Sequence, residues 1–506
     1  MQKIKNLLYR RRVVAILTLL LLLVVQWIVF GSHVGSGFVT DDFNWLDSVV
    51  RDGKVDYLRP FTATTGFFRP LVGVSFALQF TFHGLDAQWY GWFNLLLHML
   101  NIILVYLLLS NLTQTQSLAL PVTVLFALNA KATEMAVRWI SGRTSLLCAF
   151  FMLLSLYLLV KDNPNTGKTI RYARYFLVGL FYLAALLAKE TAVAVPIFIF
   201  LFTSLFDPNS HGFLHVPIKE RVKKGGWSVL PFLFPLVLYV VLRFNSDAMT
   251  PFNAPPYYQL SFTPGLMVKN IMEYILRAGM LDIYILALLF IVGWIWGIKK
   301  NYREIWFDRV IIVVGGIWFI SFLLPILGLS ARSDLYVYFP QIGLHVIVLV
   351  LISRHVDFTT LFKRKECNGA EAPNIKQNPQ RYVVIFSVVL LFVIWTGYLR
   401  IRAEAASKSP RFTTFFTQQL VAQTGGLKTG SRIWLLDMQA EEKESPTRCI
   451  ANGFTAMLNL YYPQKGFTGE IIPVTRLAEW EDKKSSENIR FRWQDNRLIR
   501  YDRNKK

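Results

Sequence analysis

Apolar runs of roughly 17 to 25 residues, each long enough to cross about 30 Å of hydrocarbon, recur along most of the 506-residue chain. They predict about eleven membrane-spanning helices, near 13–31, 90–110, 117–134, 144–160, 173–188, 190–206, 227–244, 279–298, 309–328, 335–353 and 382–400. A further apolar stretch, 67–83, follows a different logic. Counting it as a span inverts every later loop, and Arg69-Pro70 breaks the chain at its start, so the pattern predicts a surface helix inside a long first external loop, 32–89. Beyond residue 400 the apolar runs stop. Residues 401–506 mix charges of both signs and predict a small α/β domain: a strand at Ser431–Met438, a short helix at Cys449–Tyr462, and two alternating strands in Ile489–Asp502 around Gln494-Asp495-Asn496. Glu366–Arg381 reads as a loop. The expected fold class is an all-α polytopic membrane protein with a small external α/β C-terminal domain.

Composition agrees: 54% of residues are hydrophobic and 17% charged. The formal net charge of +22 would point to nucleic acid in a soluble protein. Here the excess sits in alternate loops: Arg10 to Arg12; Lys161, Lys168, Arg171 and Arg174; Lys219, Arg221, Lys223 and Lys224; Lys299, Lys300, Arg303 and Arg309; Lys363 to Lys365. That alternation follows the positive-inside rule and removes nucleic acid as the expected partner. It predicts a cytoplasmic segment 1–12, a transmembrane domain 13–400 and an external domain 401–506 in a multi-pass membrane protein. The first apolar run is too long for a cleaved leader and reads as a signal anchor. Three cysteines, Cys148, Cys367 and Cys449, give no disulfide or metal framework, and the sequon Asn111-Leu112-Thr113 falls on the inner side.

With this topology, four charged clusters share the external edge: Asp41-Asp42; Glu134 with Arg138 and Arg143; Lys189-Glu190; and Arg332 with Asp334. Ionisable groups at a membrane edge are costly enough to mark a functional cavity. Asp41, Asp42 and Glu134 are the catalytic candidates, because an ionised carboxylate can take the proton of an attacking hydroxyl. Together they could also hold a divalent cation such as Mg or Mn. Arg138, Arg143, Lys189 and Arg332 are candidates for a donor phosphate, with Arg69, Glu190, Asp334, Tyr336 and Tyr338 as further cavity residues. Each has a plainer role beside it. One acid can cap a helix, Glu134 can pair with Arg138 at i, i+4, Asp334 can pair with Arg332, and span-end cations can reach headgroups. His98 reads as a packing residue, and Trp139, Tyr336 and Tyr338 fit an aromatic belt as well as a stacking platform. Pro251–Tyr258 is either a lid or an ordinary loop.

Several segments resemble, in order, the GT-C glycosyltransferases and within them the transmembrane O-mannosyltransferase-like group. After the acidic pair come Arg69-Pro70-Leu71, Ser75-Phe76-Ala77-Leu78, Phe93-Asn94-Leu95-Leu96-Leu97-His98-Met99-Leu100-Asn101, and Thr133-Glu134-Met135-Ala136-Val137-Arg138-Trp139-Ile140-Ser141-Gly142-Arg143 running into Thr144-Ser145-Leu146-Leu147. Lys189-Glu190-Thr191 and Tyr336-Val337-Tyr338-Phe339-Pro340-Gln341-Ile342-Gly343 follow. The resemblance implies a polyprenyl-phosphate-linked sugar donor and transfer to a protein or glycan acceptor at the external face, with inversion at the anomeric carbon. The chain departs from that group at Asn129-Ala130-Lys131-Ala132, where relatives often carry His-Pro and another His, at Gly91, and at Leu335. It lacks the tetratricopeptide extension, so the tail is expected to engage the acceptor. A lipid-sugar flippase, whose charges would sit near the midplane in repeated halves, and a non-catalytic envelope scaffold are the alternative readings.

Overall fold

The computed structural model describes residues 2–51, 53–62, 66–113, 116–161, 167–207, 212–213, 216–248, 254–279, 284, 305–353, 379–482 and 488–501. Most of the expected span 279–298, most of the loop Glu366–Arg381, Cys367 and Pro251–Asn253 lie outside them. The chain is an integral membrane protein built on a helical bundle. Its first helices are α1 (Gln2–Phe30), α2 (Asp41–Asp47), α3 (Pro70–His83), α4 (Ala87–Thr113), α5 (Gln116–Ala127) and α6 (Ala132–Arg138). After them run α7 (Arg143–Val160), α8 (Lys168–Ala188), α9 (Ala194–Leu205), α10 (Ile218–Phe244) and α11 (Pro264–Ala278), then the helices Ile305–Leu323, Gln341–Ser353 and Pro379–Ala406.

The described residues give fewer spans than eleven. Five helices are long and apolar enough to cross a membrane alone: Val13–Phe30, Ala87–Leu112, Ile140–Val160, Lys168–Ala188 and Ile218–Phe244. The pair Leu118–Ala127 and Ala132–Arg138, bent by 58°, makes a sixth if counted as one span. Glu190–Leu205, Val310–Ile326 and Gln341–Leu351 are apolar but shorter.

The bend corrects the single span expected over 117–134, and Asn129 explains it. Its Oδ1 accepts from the N–H groups of Lys131 (2.9 Å) and Ala132 (2.8 Å), which starts a new helix, while its Nδ2 donates to the carbonyl of Ala278 (2.8 Å). The carbonyls freed at the end of α5 are also satisfied. Gln26 Nε2 donates to Ala127 (3.0 Å) and Trp395 Nε1 to Leu128 (2.8 Å), as broken helices at membrane depth require.

Packing follows side-chain size. α7 is the most enclosed of the five spans, held between α4 and α8, whereas α1 and α10 turn Trp27, Trp227, Phe234 and Phe244 outward. Without a hydrophobic drive between helices in lipid, close approach comes from small residues. Where Ile305–Leu323 meets Gln341–Ser353, a Cβ on Gly343 would lie 2.4 Å from the Gly315 carbonyl oxygen. α3 starts at Pro70, whose fixed φ suits a first turn, and buries Val72, Phe76 and Ala77. Its Phe76 ring stacks on Trp45 of α2 at 5.8 Å.

The C-terminal region forms a four-stranded sheet of β5 (Arg432–Asp437), β6 (Thr468–Pro473), β7 (Asn488–Gln494) and β8 (Arg497–Arg500), in the order β6-β5-β7-β8; two short antiparallel pairs, β1 (Val50–Arg51) with β2 (Lys54–Val55) and β3 (Phe206–Asp207) with β4 (Gly212–Phe213), precede it. β5 runs parallel to both neighbours and is buried on both faces, as central parallel strands are. β7 and β8 form a hairpin whose turn residues, Asp495 and Asn496, take φ of 51° and 57°. The core on one face of the sheet is continuous with that of the bundle through Phe43, Leu46, Phe454 and Leu458, while Trp434, Leu436, Ile472 and Trp480 form a separate cluster on the other, so the C-terminal region is packed onto the first loop rather than tethered beside it.

Candidate functional site

The first loop, the ends of several membrane helices and the C-terminal region enclose a cavity of about 810 Å³. Asp41, Asn44, Trp45 and Asp47 reach it from α2, and Phe67 and Arg69 from the start of α3. Lys189, Glu190 and Thr191 reach it from the turn between α8 and α9, and Arg243 from the end of α10. Tyr257 and Tyr258 form one edge, Leu335 and Tyr336 another, and Asn452 closes it from the C-terminal region. Cations and carboxylates alternate around this wall: Arg59, Arg69, Lys189 and Arg243 against Asp41, Asp47 and Glu190.

The two acids of the pair part company here. Asp41 is exposed and lines the cavity. Partial burial raises its carboxyl above the ordinary range, against the pull of Arg69. Asp42 is 0% exposed. Its Oδ2 accepts from the Val39 N–H (2.9 Å), and its Oδ1 from the Ser141 N–H (2.8 Å) and hydroxyl. Burial still pushes it up to about 7. Every one of these bonds faces inward, so Asp42 ties the first loop to the turn before α7 and offers no oxygen to a substrate.

The cations divide in the same way. Arg69 and Glu190 form a two-pronged pair, Nε to Oε2 at 2.9 Å and Nη2 to Oε1 at 2.5 Å, with the guanidinium 4.3 Å above the Phe67 ring. Lys189 is 5% exposed; its ammonium donates to Ser145 Oγ (2.8 Å) and stands 5.3 Å from the Tyr336 ring. Arg243 donates to the Tyr239 hydroxyl (3.3 Å). With Arg59, these three make up the cationic side of the cavity.

The remaining sequence candidates lie behind the wall. Arg143 is fully buried, donating to Asn94 Oδ1 (3.2 Å) and the Tyr90 carbonyl (3.1 Å) among the rings of Phe76, Phe93 and Tyr90. Glu134 pairs with Arg138 at 2.7 Å and with Arg402 at 3.8 Å, and neither it nor Arg138 lines the cavity. Arg332 donates to Asn270 Oδ1 (2.7 Å) and pairs with Glu273 (3.1 Å). Asp334 pairs with Arg277 at 2.5 Å, not with Arg332. The Tyr338 hydroxyl is buried against His98 Nδ1 (2.7 Å) and Asn101 Nδ2 (3.2 Å), which makes His98 a packing residue.

Asp41, Asp42 and Glu134 do not gather as cation ligands, and among the described residues no three His, Cys, Asp or Glu side chains do. Arg243 and Asn452 were missed. Arg243 carried a signal, a lone cation at the end of a span opposite to the basic excess. Nothing local marked Asn452.

No family model matches the chain. It is 29% identical to the protein O-mannosyl-transferase Tmtc1 of Drosophila melanogaster over 186 residues, 33% of this chain and 20% of that protein, so the match spans a fifth of the relative's length. Its fold follows that of ArnT from Cupriavidus metallidurans, solved with undecaprenyl phosphate, with a TM-score of 0.50 over 94% of this chain and 92% of that one, at 12% identity. An oligosaccharyltransferase from Archaeoglobus fulgidus is similar at a TM-score of 0.48 and 11% identity, over 91% of this chain and 63% of its own. The likeness to ArnT is one of architecture along nearly the whole chain.

Proposed function

We propose that the protein is a membrane glycosyltransferase that moves a sugar from a polyprenyl-phosphate donor to an acceptor hydroxyl, with Asp41 as general base. One observation carries this: an exposed carboxylate and three cations, Arg69, Lys189 and Arg243, face one cavity at the ends of the membrane helices. Such a cavity suits a substrate that is anionic phosphate at one end and lipid at the other. The undecaprenyl phosphate named with the ArnT structure is a ligand of that kind.

The geometry supports an inverting displacement. Asp41 accepts the proton of the acceptor hydroxyl as its oxygen attacks the anomeric carbon, and the bond from that carbon to the phosphate oxygen breaks. The polyprenyl phosphate departs with the bonding electrons and gains negative charge, which Arg69 and Lys189 stabilise. Because Arg69 is held by Glu190, the phosphate enters by sharing or displacing that carboxylate. Trp45, Tyr258 and Tyr336 give aromatic faces for sugar or prenyl carbons. In this reading the membrane is a bacterial inner membrane with the cavity and the domain 401–506 on its outer face; the alternating basic loops support the orientation, with the amino terminus in the cytoplasm.

The test is transfer from a panel of polyprenyl-phosphate sugars by the purified protein in lipid, with native membrane extract as acceptor. Asp41→Asn should abolish transfer while the protein stays folded. Transfer unchanged in that variant refutes the assignment, and scrambling of the donor across the bilayer without transfer would favour a flippase.

A further inference from the structure

Thr40, the residue before the proposed base, has φ of 35° and ψ of −106°. A β-branched residue at positive φ is strained and persists only where its surroundings impose it. Those surroundings come from the C-terminal region, more than 400 residues further along the chain. The Thr40 N–H donates to the Cys449 carbonyl (3.0 Å), and Asn44 Nδ2 donates to the Asn452 carbonyl (3.2 Å). Gly453 lies so close that a Cβ on it would sit 2.4 Å from the Thr40 carbonyl oxygen. On the opposite side, Asp42 anchors the same turn to Ser141. Asp41 therefore projects from the start of a short helix gripped on two sides, by the membrane bundle through Asp42 and by the C-terminal turn through Thr40 and Asn44.

We infer that the turn Cys449–Gly453 is a positioning element for the reaction: it holds Thr40 in its strained conformation and so aims the Asp41 carboxylate into the cavity. The inference rests on the proposed role of Asp41. It gives the C-terminal region a part in the chemical step itself, separate from any part in acceptor capture. Gly453 is the residue on which the grip turns, because any side chain there collides with backbone, which cannot rotate away. A displacement near 1 Å at a reacting group can cost about a hundredfold in rate.

The experiment compares Gly453→Ala, Thr40→Gly and the double variant with wild type, reading kcat and the donor KM separately, with the melting temperature in detergent as a control. Gly453→Ala should lower kcat by about tenfold or more and leave the donor KM within about twofold, since the cations that hold the phosphate stand on other elements. Thr40→Gly alone should remain active, because glycine accepts the left-handed φ without cost. Added to Gly453→Ala, it should recover part of the lost kcat by letting the turn readjust. A purely structural role for the turn predicts instead a lower melting temperature without that recovery. A folded Gly453→Ala protein with wild-type kcat, or a loss that Thr40→Gly does not relieve, overturns the inference. Asp41→Asn separates the two layers. If it transfers sugar normally, the base assignment itself falls, whereas an inactive Asp41→Asn beside a fully active Gly453→Ala removes only the positioning role.

Discussion

The wall of the cavity and the packed layer just behind it are built from the same residue types, in segments that alternate along the chain, and they hold their charges differently. On the wall, Asp41 presents an exposed carboxylate and Arg69, Lys189 and Arg243 border open space. Behind it, Asp42, Arg143, Glu134 and Arg332 spend their hydrogen bonds on protein partners. A charge that is fully satisfied within the fold stabilises one arrangement of chain, whereas one facing a cavity is kept at some cost in stability for a ligand. Charge placement at a membrane edge is therefore a weaker guide to chemistry than the direction in which each charge is satisfied.

The largest expected effect breaks or keeps this division at its sharpest point, the two adjacent acids. Asp41→Asn should lower transfer by roughly 10² to 10⁴ with an unchanged melting temperature, the range for losing a general base. Behind the wall the order reverses. Arg143→Ala should destabilise the fold by about 3 kcal/mol, read as chemical or thermal unfolding in detergent, because it takes the Arg143 donor from the buried Asn94 Oδ1 and leaves a void among three rings. A stable but inactive Arg143→Ala protein would move that arginine to the functional side.

Asp42 sharpens the comparison through pH. Its folded value of about 7 stands above the ordinary aspartate value of about 4. The folded state therefore holds the proton more tightly than the unfolded one, and stability should fall as pH rises from about 4 to about 7. Asp42→Asn should remove that part of the slope, because amide and carboxyl then do not differ in charge. A wild-type profile that rises across this window would mean that the three donors around Asp42 outweigh its burial.

How far all this was legible differs from place to place. The apolar runs announced the bundle, and the alternation of basic loops grouped Asp41, Arg69, Lys189 and Tyr336 on one side before any contact was known. What a run of twenty apolar residues does not encode is its own interruption: the break after α5 is made by the side chain of Asn129, and its free carbonyls are met by Gln26 and Trp395 from distant helices. The division between Asp41 and Asp42 has the same origin. Two identical residues side by side are separated by Ser141, 99 positions away, and by the Cys449–Gly453 turn. The pairing of Asp334 was misplaced because Arg332 is near in sequence, while Arg277 arrives from another helix.

Glu190 stands on the boundary between the two groups, since it lines the cavity yet is fully engaged by Arg69. Glu190→Gln keeps the shape and removes the charge that competes with a phosphate. Binding of polyprenyl phosphate, measured by calorimetry, should tighten by up to about tenfold, a difference of roughly 1.4 kcal/mol. Weaker binding would show that Glu190 serves chiefly to orient Arg69, and would move it to the structural layer.

The smallest effect belongs to Arg332, which the sequence offered for the donor phosphate and which the fold turns away from the cavity. Its Nε meets Asn270 Oδ1, but Asn270 keeps both of its own bonds, to the carbonyls of Leu327 (2.8 Å) and Leu329 (2.9 Å). Glu273, its ionic partner, retains Arg277 at 2.5 Å. Losing Arg332 therefore strands no buried charge, and a partly exposed pair of this kind contributes only about 0.2–1 kcal/mol. Arg332→Ala should keep kcat and the donor KM within about twofold of wild type and lower the melting temperature slightly. A tenfold rise in the donor KM with kcat unchanged would instead extend the phosphate site beyond the cavity wall, and the line between exposed and satisfied charges would have to be redrawn through Asn270.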